Sequence, residues 1–194
     1  MRFLRIPIAA ALALALSLSF SLSGCVGQAR ERPDPTATPT WASPFASNKE
    51  ALAAAVAAFQ RYVDVSNEVG MAGFVDVNRI EGVASGSAAE VAISDGNSLN
   101  QRGIKQSGPT TIHSPLFSSG ELRADGRTEV HAYICADISQ SRLIDPAGVD
   151  VTPRDRADQL DYSLSFVADT PGGSNLVVER SELWSSNERC SAAY

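Results

Sequence analysis

Lysine is almost missing from this sequence: Lys49 and Lys105 are the only two, and with the arginines they make 16 basic residues against 22 acidic ones. A net charge of −6 disfavours a phosphate-backbone partner, so no nucleic acid is expected. Histidine is as scarce, with only His113 and His131, which excludes a multi-histidine metal centre. The three cysteines contain no Cys-x-x-Cys pair, which removes a thioredoxin-like redox motif and a zinc ribbon. No P-loop, dinucleotide fingerprint or Gly-x-Ser-x-Gly elbow occurs, so no cofactor is expected. No apolar run is long enough for a spanning helix: the longest, Ile6–Phe20, has 15 residues, where a bilayer needs roughly 20.

That short run carries an address. Arg2 and Arg5 precede it and small residues follow, the pattern of a secretory signal over residues 1–24. Leu22-Ser23-Gly24-Cys25 resembles a bacterial lipobox, and the resemblance implies that Cys25 is diacylglycerated and becomes the first mature residue. Two acyl chains anchor stably where one binds marginally, because each buried CH₂ contributes about 0.8 kcal/mol. The expected location is therefore the extracytoplasmic face of a cell membrane, with the membrane itself as partner. Loss of residues 1–24 removes two arginines and no acid, taking the net charge from −6 to −8. Such a body is repelled by anionic lipid, so the anchor does the holding.

Residues 25–46 read as the lipidated cysteine followed by a tether. Pro33, Pro35, Pro39 and Pro44 among threonines and serines favour polyproline II, at most about 65 Å long at roughly 3.1 Å per residue. Trp41 and Phe45 mark where the tether docks on the domain, which is expected to span 47–194.

Ser47 opens a capping box with Glu50. The alanine-rich run behind it predicts a helix with Leu52, Val56, Phe59 and Val63 on its buried face, ended at Gly70. Residues 76–83 and 87–102 predict a short and a weaker helix. From about residue 105 the apolar period becomes 2, clearest in 129–139 and 160–166, with a further strand over 176–184. Asp125-Gly126 predicts a two-residue hairpin turn. Helices followed by a meander of antiparallel strands give an α+β fold.

In that register His113 lies opposite Ile138, roughly 24 Å along the strand from His131 and on the other face, so the two share no metal. With Cys25 assigned to lipid, Cys135 and Cys190 are left as an even pair in an oxidising compartment, which predicts a disulfide. Asp145, Asp150, Asp155, Asp158 and Asp161 lack Ca²⁺-loop spacing and read as a solvated acidic loop; no metal is expected.

The stretches Tyr133–Ser139 and Leu143–Pro153, with Glu182-Leu183-Trp184 and Cys190, resemble the strand–loop–strand pattern of small envelope lipoproteins of high-GC Gram-positive, actinobacterial-type bacteria, a group without an assigned activity. Helices leading into a bent sheet also resemble the nuclear transport factor 2 (NTF2)-like and SnoaL-like superfamily. That resemblance implies a cone with a concave pocket between sheet and helices, in which some members carry a catalytic Asp/His or Asp/Tyr set. His131, Tyr133, Asp137, Tyr162, Phe166 and Trp184 are the candidate pocket residues, unless that face simply packs on the helices. The leading expectation is a non-catalytic binding or accessory domain for a small apolar ligand or an envelope protein. The alternative is an isomerase, dehydratase or hydrolase using Asp137 or His131 as general base.

Overall fold

The computed structural model describes residues 34–184 and 188–191. The expectations for the signal segment and for Cys25 fall outside the described residues. The architecture is α+β, built of helices and antiparallel sheets, with no closed barrel among the described residues.

Helix α1 spans Asn48–Met71. Ser47 caps it by accepting from the Glu50 amide at 3.2 Å, and the Glu50 carboxylate accepts in return from the Ala46 amide at 2.8 Å. Of the expected stripe, Phe59 and Val63 are buried, but its first half is turned. Ala51, Ala55 and Ala58 are at most 1% exposed, while Leu52 and Val56 sit half-buried at the flanks. Methyl side chains at the centre let the helix backbone come close to the sheet, and the larger residues fill the wedge on either side. Gly70 does not end the helix. It is a place of close approach, where an added Cβ would lie 2.5 Å from the Gln106 Oε1. The chain leaves the helix at Gly73, whose φ of +82° suits glycine.

A 3-10 turn follows at Val77–Gly82, then helix α2 at Gly86–Gln101. Asp95-Gly96 lies inside α2 without interrupting it, because Gly96 packs against Val77.

Strands β2 (Thr111–Leu122), β3 (Thr128–Asp137), β5 (Gln159–Ala168) and β6 (Leu176–Leu183) form one antiparallel sheet in the order β2-β3-β5-β6. Short strands β1 (Lys105–Ser107) and β4 (Arg142–Ile144) pair separately. Directly paired residues share a face. Val130, Ala132 and Ile134 oppose Phe166, Leu164 and Tyr162 on the inner face, against α1. Phe59 and Phe166 are at most 2% exposed there, each contributing about 1.5–3 kcal/mol of burial. On the outer face, Glu129, His131, Tyr133, Cys135 and Asp137 oppose Val167, Ser165, Ser163, Asp161 and Gln159.

The β2–β3 turn differs from the expected two-residue form. Leu122 pairs with Thr128, and Arg123 and Arg127 close a three-residue loop in which Gly126 takes φ of +80°, the type I turn with a glycine bulge. Two further register shifts, at His113/Leu116 and Phe117/Ser119, place His113 opposite Cys135. His113 and His131 thus share the outer face, about 13 Å apart along four strand residues.

The tether also differs from a free spacer over its described part. Asn48 and Lys49 donate to the carbonyls of Ala37 and Pro35 at 3.1 and 2.8 Å. Trp41 stacks on Phe117 with ring centres 6.2 Å apart, over Gly120, where an added Cβ would lie 2.2 Å from the indole. Phe45 enters the core. Docking by Trp41 and Phe45 agrees with the sequence reading, but the folded unit takes in residues from Asp34 on. Among the described residues no helix is long and apolar enough to cross a membrane.

Candidate functional site

A cavity of about 190 Å³ lies between α1 and the inner face of the sheet. Phe59, Tyr62 and Val63 come from α1, Ala136 from β3, Tyr162 from β5 and Ser181 from β6. Its polar edge is Ser66, Asn67, Gln106 and Thr110. Asn67 is 8% exposed and held by three hydrogen bonds: its Oδ1 accepts from the Thr110 amide and from Gln106, and its Nδ2 donates to the Thr110 carbonyl at 2.9 Å. This amide pins the start of β2 to the helix and fixes the mouth of the cavity. A second cavity of about 180 Å³ lies beyond Tyr62, Ser66 and Gln106, lined also by the 3-10 turn and α2.

Among the described residues that line the first cavity there is no Asp, Glu, His, Lys, Arg or Cys. Its titratable groups are two phenols. Burial pushes Tyr162 up to about 12, with Tyr62 adding to the shift. Burial likewise raises Tyr62, opposed by a hydrogen bond with Ser66 and assisted by Asp95. Both are neutral near pH 7, able to donate and accept hydrogen bonds but not to act as bases. The unfolded Tyr162 phenol ionises near pH 10, below its folded value, so its protonation favours the fold until pH rises through that range. Stability should therefore fall between pH 10 and 12 in the wild type, and by less in Tyr162→Phe; urea melts at a series of alkaline pH values check this.

Around Cys135 and Asp161 the outer face is covered by the chain's own C-terminal segment. Cys190, in the short helix α3 (Glu188–Ser191), forms a disulfide with Cys135 of β3. Next to it, Arg189 grips Asp161 through Nε and Nη2, with Nε to Oδ2 at 3.0 Å, and its Nη1 donates to the Ser114 carbonyl at 2.6 Å. Asp161 is 1% exposed. It therefore belongs to the buried strap and not to the acidic loop in which the sequence spacing places it. The guanidinium also lies 5.9 Å above the Tyr133 ring, and Trp184 meets that ring edge-on at 5.0 Å.

These facts divide the six candidate pocket residues. Tyr162 and Phe166 are on the inner face; Tyr162 lines the cavity and Phe166 is fully buried in the core. His131, Tyr133 and Asp137 are on the outer face, with Trp184 beside Tyr133. One pocket cannot hold all six, because a sheet lies between the two groups. Hydrogen bonds from Ser139 hold the Asp137 carboxyl below its ordinary range, with Gln159 and His113 adding to the effect. His113 itself contacts Gln159 at 2.7 Å and Ser114 at 2.9 Å. The cavity residues the sequence did not single out, Asn67 and Gln106 among them, sit on elements whose contact depends on the β1–β2 excursion. A polar Asn inside an apolar helix stripe was the available signal.

Among the described residues, two groups of side chains bring three potential metal donors together. Cys135, Asp161 and Cys190 form one, but both sulfurs are in the disulfide. Glu121, Glu129 and His131 form the other.

No family model matches the chain, and no curated protein matches it. Among solved structures, the chain is similar to the intermembrane space region of the chloroplast protein ARC6, at 16% identity and a TM-score of 0.49, over 70% of this chain and 97% of that one.

Proposed function

We propose that this is a lipid-anchored cell-envelope protein of the extracytoplasmic membrane face, whose domain binds a small uncharged ligand under α1 without transforming it. The observation that supports binding is the lining of the cavity: aromatic rings, amides and hydroxyls, with no ionised group. A volume of about 190 Å³ has room for one ring or an aliphatic group of that bulk, with one or two hydrogen-bonding atoms for the polar edge. An ionic ligand would lose its hydration there without a counter-charge. We read the bent sheet over α1 as one wall of an NTF2-like cone, a reading supported by the irregularities in β2 and by the register shift between Ser165 and Phe166, since such bulges bend strands. An enzyme built on Asp137 or His131 would need these groups beside a ligand. Both face away from this cavity, and the downward shift of Asp137 is the wrong direction for a base near neutral pH.

The anchor and the cavity are tested separately. Wild-type protein should fractionate with membranes and require detergent for release, while Cys25→Ser should be recovered without detergent. A Cys25→Ser protein that stays with the membrane refutes the anchor. For the cavity, toluene and benzyl alcohol should raise the melting temperature by several degrees at saturating concentration, benzoate and benzylamine should not, and Ala136→Leu should abolish the effect by filling the space.

A further inference from the structure

We propose that Glu121, Glu129 and His131 form a binding site for a divalent transition ion of the Zn²⁺ class, on the outer face at the β2–β3 end of the sheet. Glu121 and Glu129 are directly paired across the strands, and His131 follows two residues on, on the same face. One ligand atom from each lies within 4.8 Å of the others. The His131 Nε2 and Glu129 Oε1 are 3.3 Å apart. Two ligands about 2.1 Å from a tetrahedral ion are separated by roughly 3.4 Å, so this pair already has the spacing of adjacent ligands. Glu121 is exposed and can close the remaining distance by rotating its side chain.

Charge favours a cation here. Like charges directly opposed across a sheet destabilise it, and Glu121 faces Glu129 in that manner. Arg123 offsets part of this, but its Nε donates to the Glu129 Oε2 at 2.6 Å and its Nη1 donates to Glu179 at 2.8 Å. Glu129 and Glu179 thus share one guanidinium, which spends its contacts on them. That same contact leaves Oε1 as the metal-facing oxygen of a carboxylate whose side chain is only 8% exposed, the arrangement in which an outer-shell partner orients a ligand. A further observation comes from β5. Ser165 lies directly opposite His131, is 3% exposed, and its hydroxyl has no partner among the described residues. Three protein ligands leave a coordination position for water, on the strand pair that carries that hydroxyl. One imidazole with two carboxylates suits Zn²⁺ or Co²⁺ over Ca²⁺, which takes six to eight oxygens.

The test is a Co²⁺ titration of metal-stripped, tag-free full-length protein in detergent, followed by competition with Zn²⁺. Saturable uptake of one ion per chain is expected, with visible absorption bands bleached by Zn²⁺. His131→Ala and Glu121→Gln, both at solvent-accessible positions that keep Glu129 and Arg123 in place, should each weaken binding by about tenfold or more while the far-UV dichroism is unchanged. Absence of saturable uptake, or uptake that survives both substitutions, overturns the proposal.

Discussion

Replacing Arg189 with Ala should lower the stability of the domain by about 3–5 kcal/mol, the range for removing one partner of a buried ion pair. The reason is Asp161. Its side chain is 1% exposed, and among the described residues Arg189 is the only cation that reaches it. Truncation leaves a carboxylate with little water and no counter-charge. It also releases the Ser114 carbonyl and the contact over Tyr133. Arg189→Lys should recover only part of the loss, because an ammonium cannot grip a carboxylate in two places. Adding Asp161→Asn to Arg189→Ala should restore stability relative to the single variant, since the uncompensated charge is gone. Urea unfolding of wild type, Arg189→Ala, Asp161→Asn and the double variant measures this cycle. A loss under 1 kcal/mol in the single variant would mean that the C-terminal segment is not seated on the sheet.

The second large effect is covalent. Cys135 and Cys190 are 55 residues apart in sequence and neither is exposed. Closing a loop of that length restricts the unfolded chain by roughly 4 kcal/mol, so Cys135→Ala/Cys190→Ala should lose about that much. Part of the loss acts through Asp161, because the disulfide holds the neighbouring Arg189 over it. The Arg189→Ala penalty should therefore shrink in the disulfide-free background. Strict additivity, read from denaturant midpoints at constant m-value, would show that ion pair and disulfide act independently.

Local pattern carried much of the fold into view. The alternation in β3 and the Ser47/Glu50 cap depend on neighbours in sequence, and both elements lie close to where those signals put them. The disulfide needed only a count of cysteines and a compartment. What depends on register was not legible. A two-residue turn at Asp125-Gly126 would set Glu121 against Val130; the three-residue loop sets it against Glu129. One residue of difference moves Glu121 to the other face of the sheet, and the carboxylate–histidine cluster exists only in the second case. The same limit divided the candidate pocket. Tyr162 and Phe166 oppose Ile134 and Val130, but β3 and β5 are joined through β4 and a long loop, so no short turn announces their pairing. Asp161 looked like one more loop acid because its partner lies 28 residues further on. The expected apolar stripe of α1 overlooked Ala51 and Ala55, since helix periodicity weights large side chains and close packing on a sheet selects small ones.

An uncharged guest in the cavity under α1, as proposed, adds its mass to the protein that holds it. Native mass spectrometry of wild type and Ala136→Leu, each purified gently from the cells that make it, looks for that guest. A neutral mass that accompanies the wild-type protein, leaves on denaturation and is missing from Ala136→Leu is the predicted result. Wild-type and Ala136→Leu spectra that match, both without a guest or both with the same one, would contradict it.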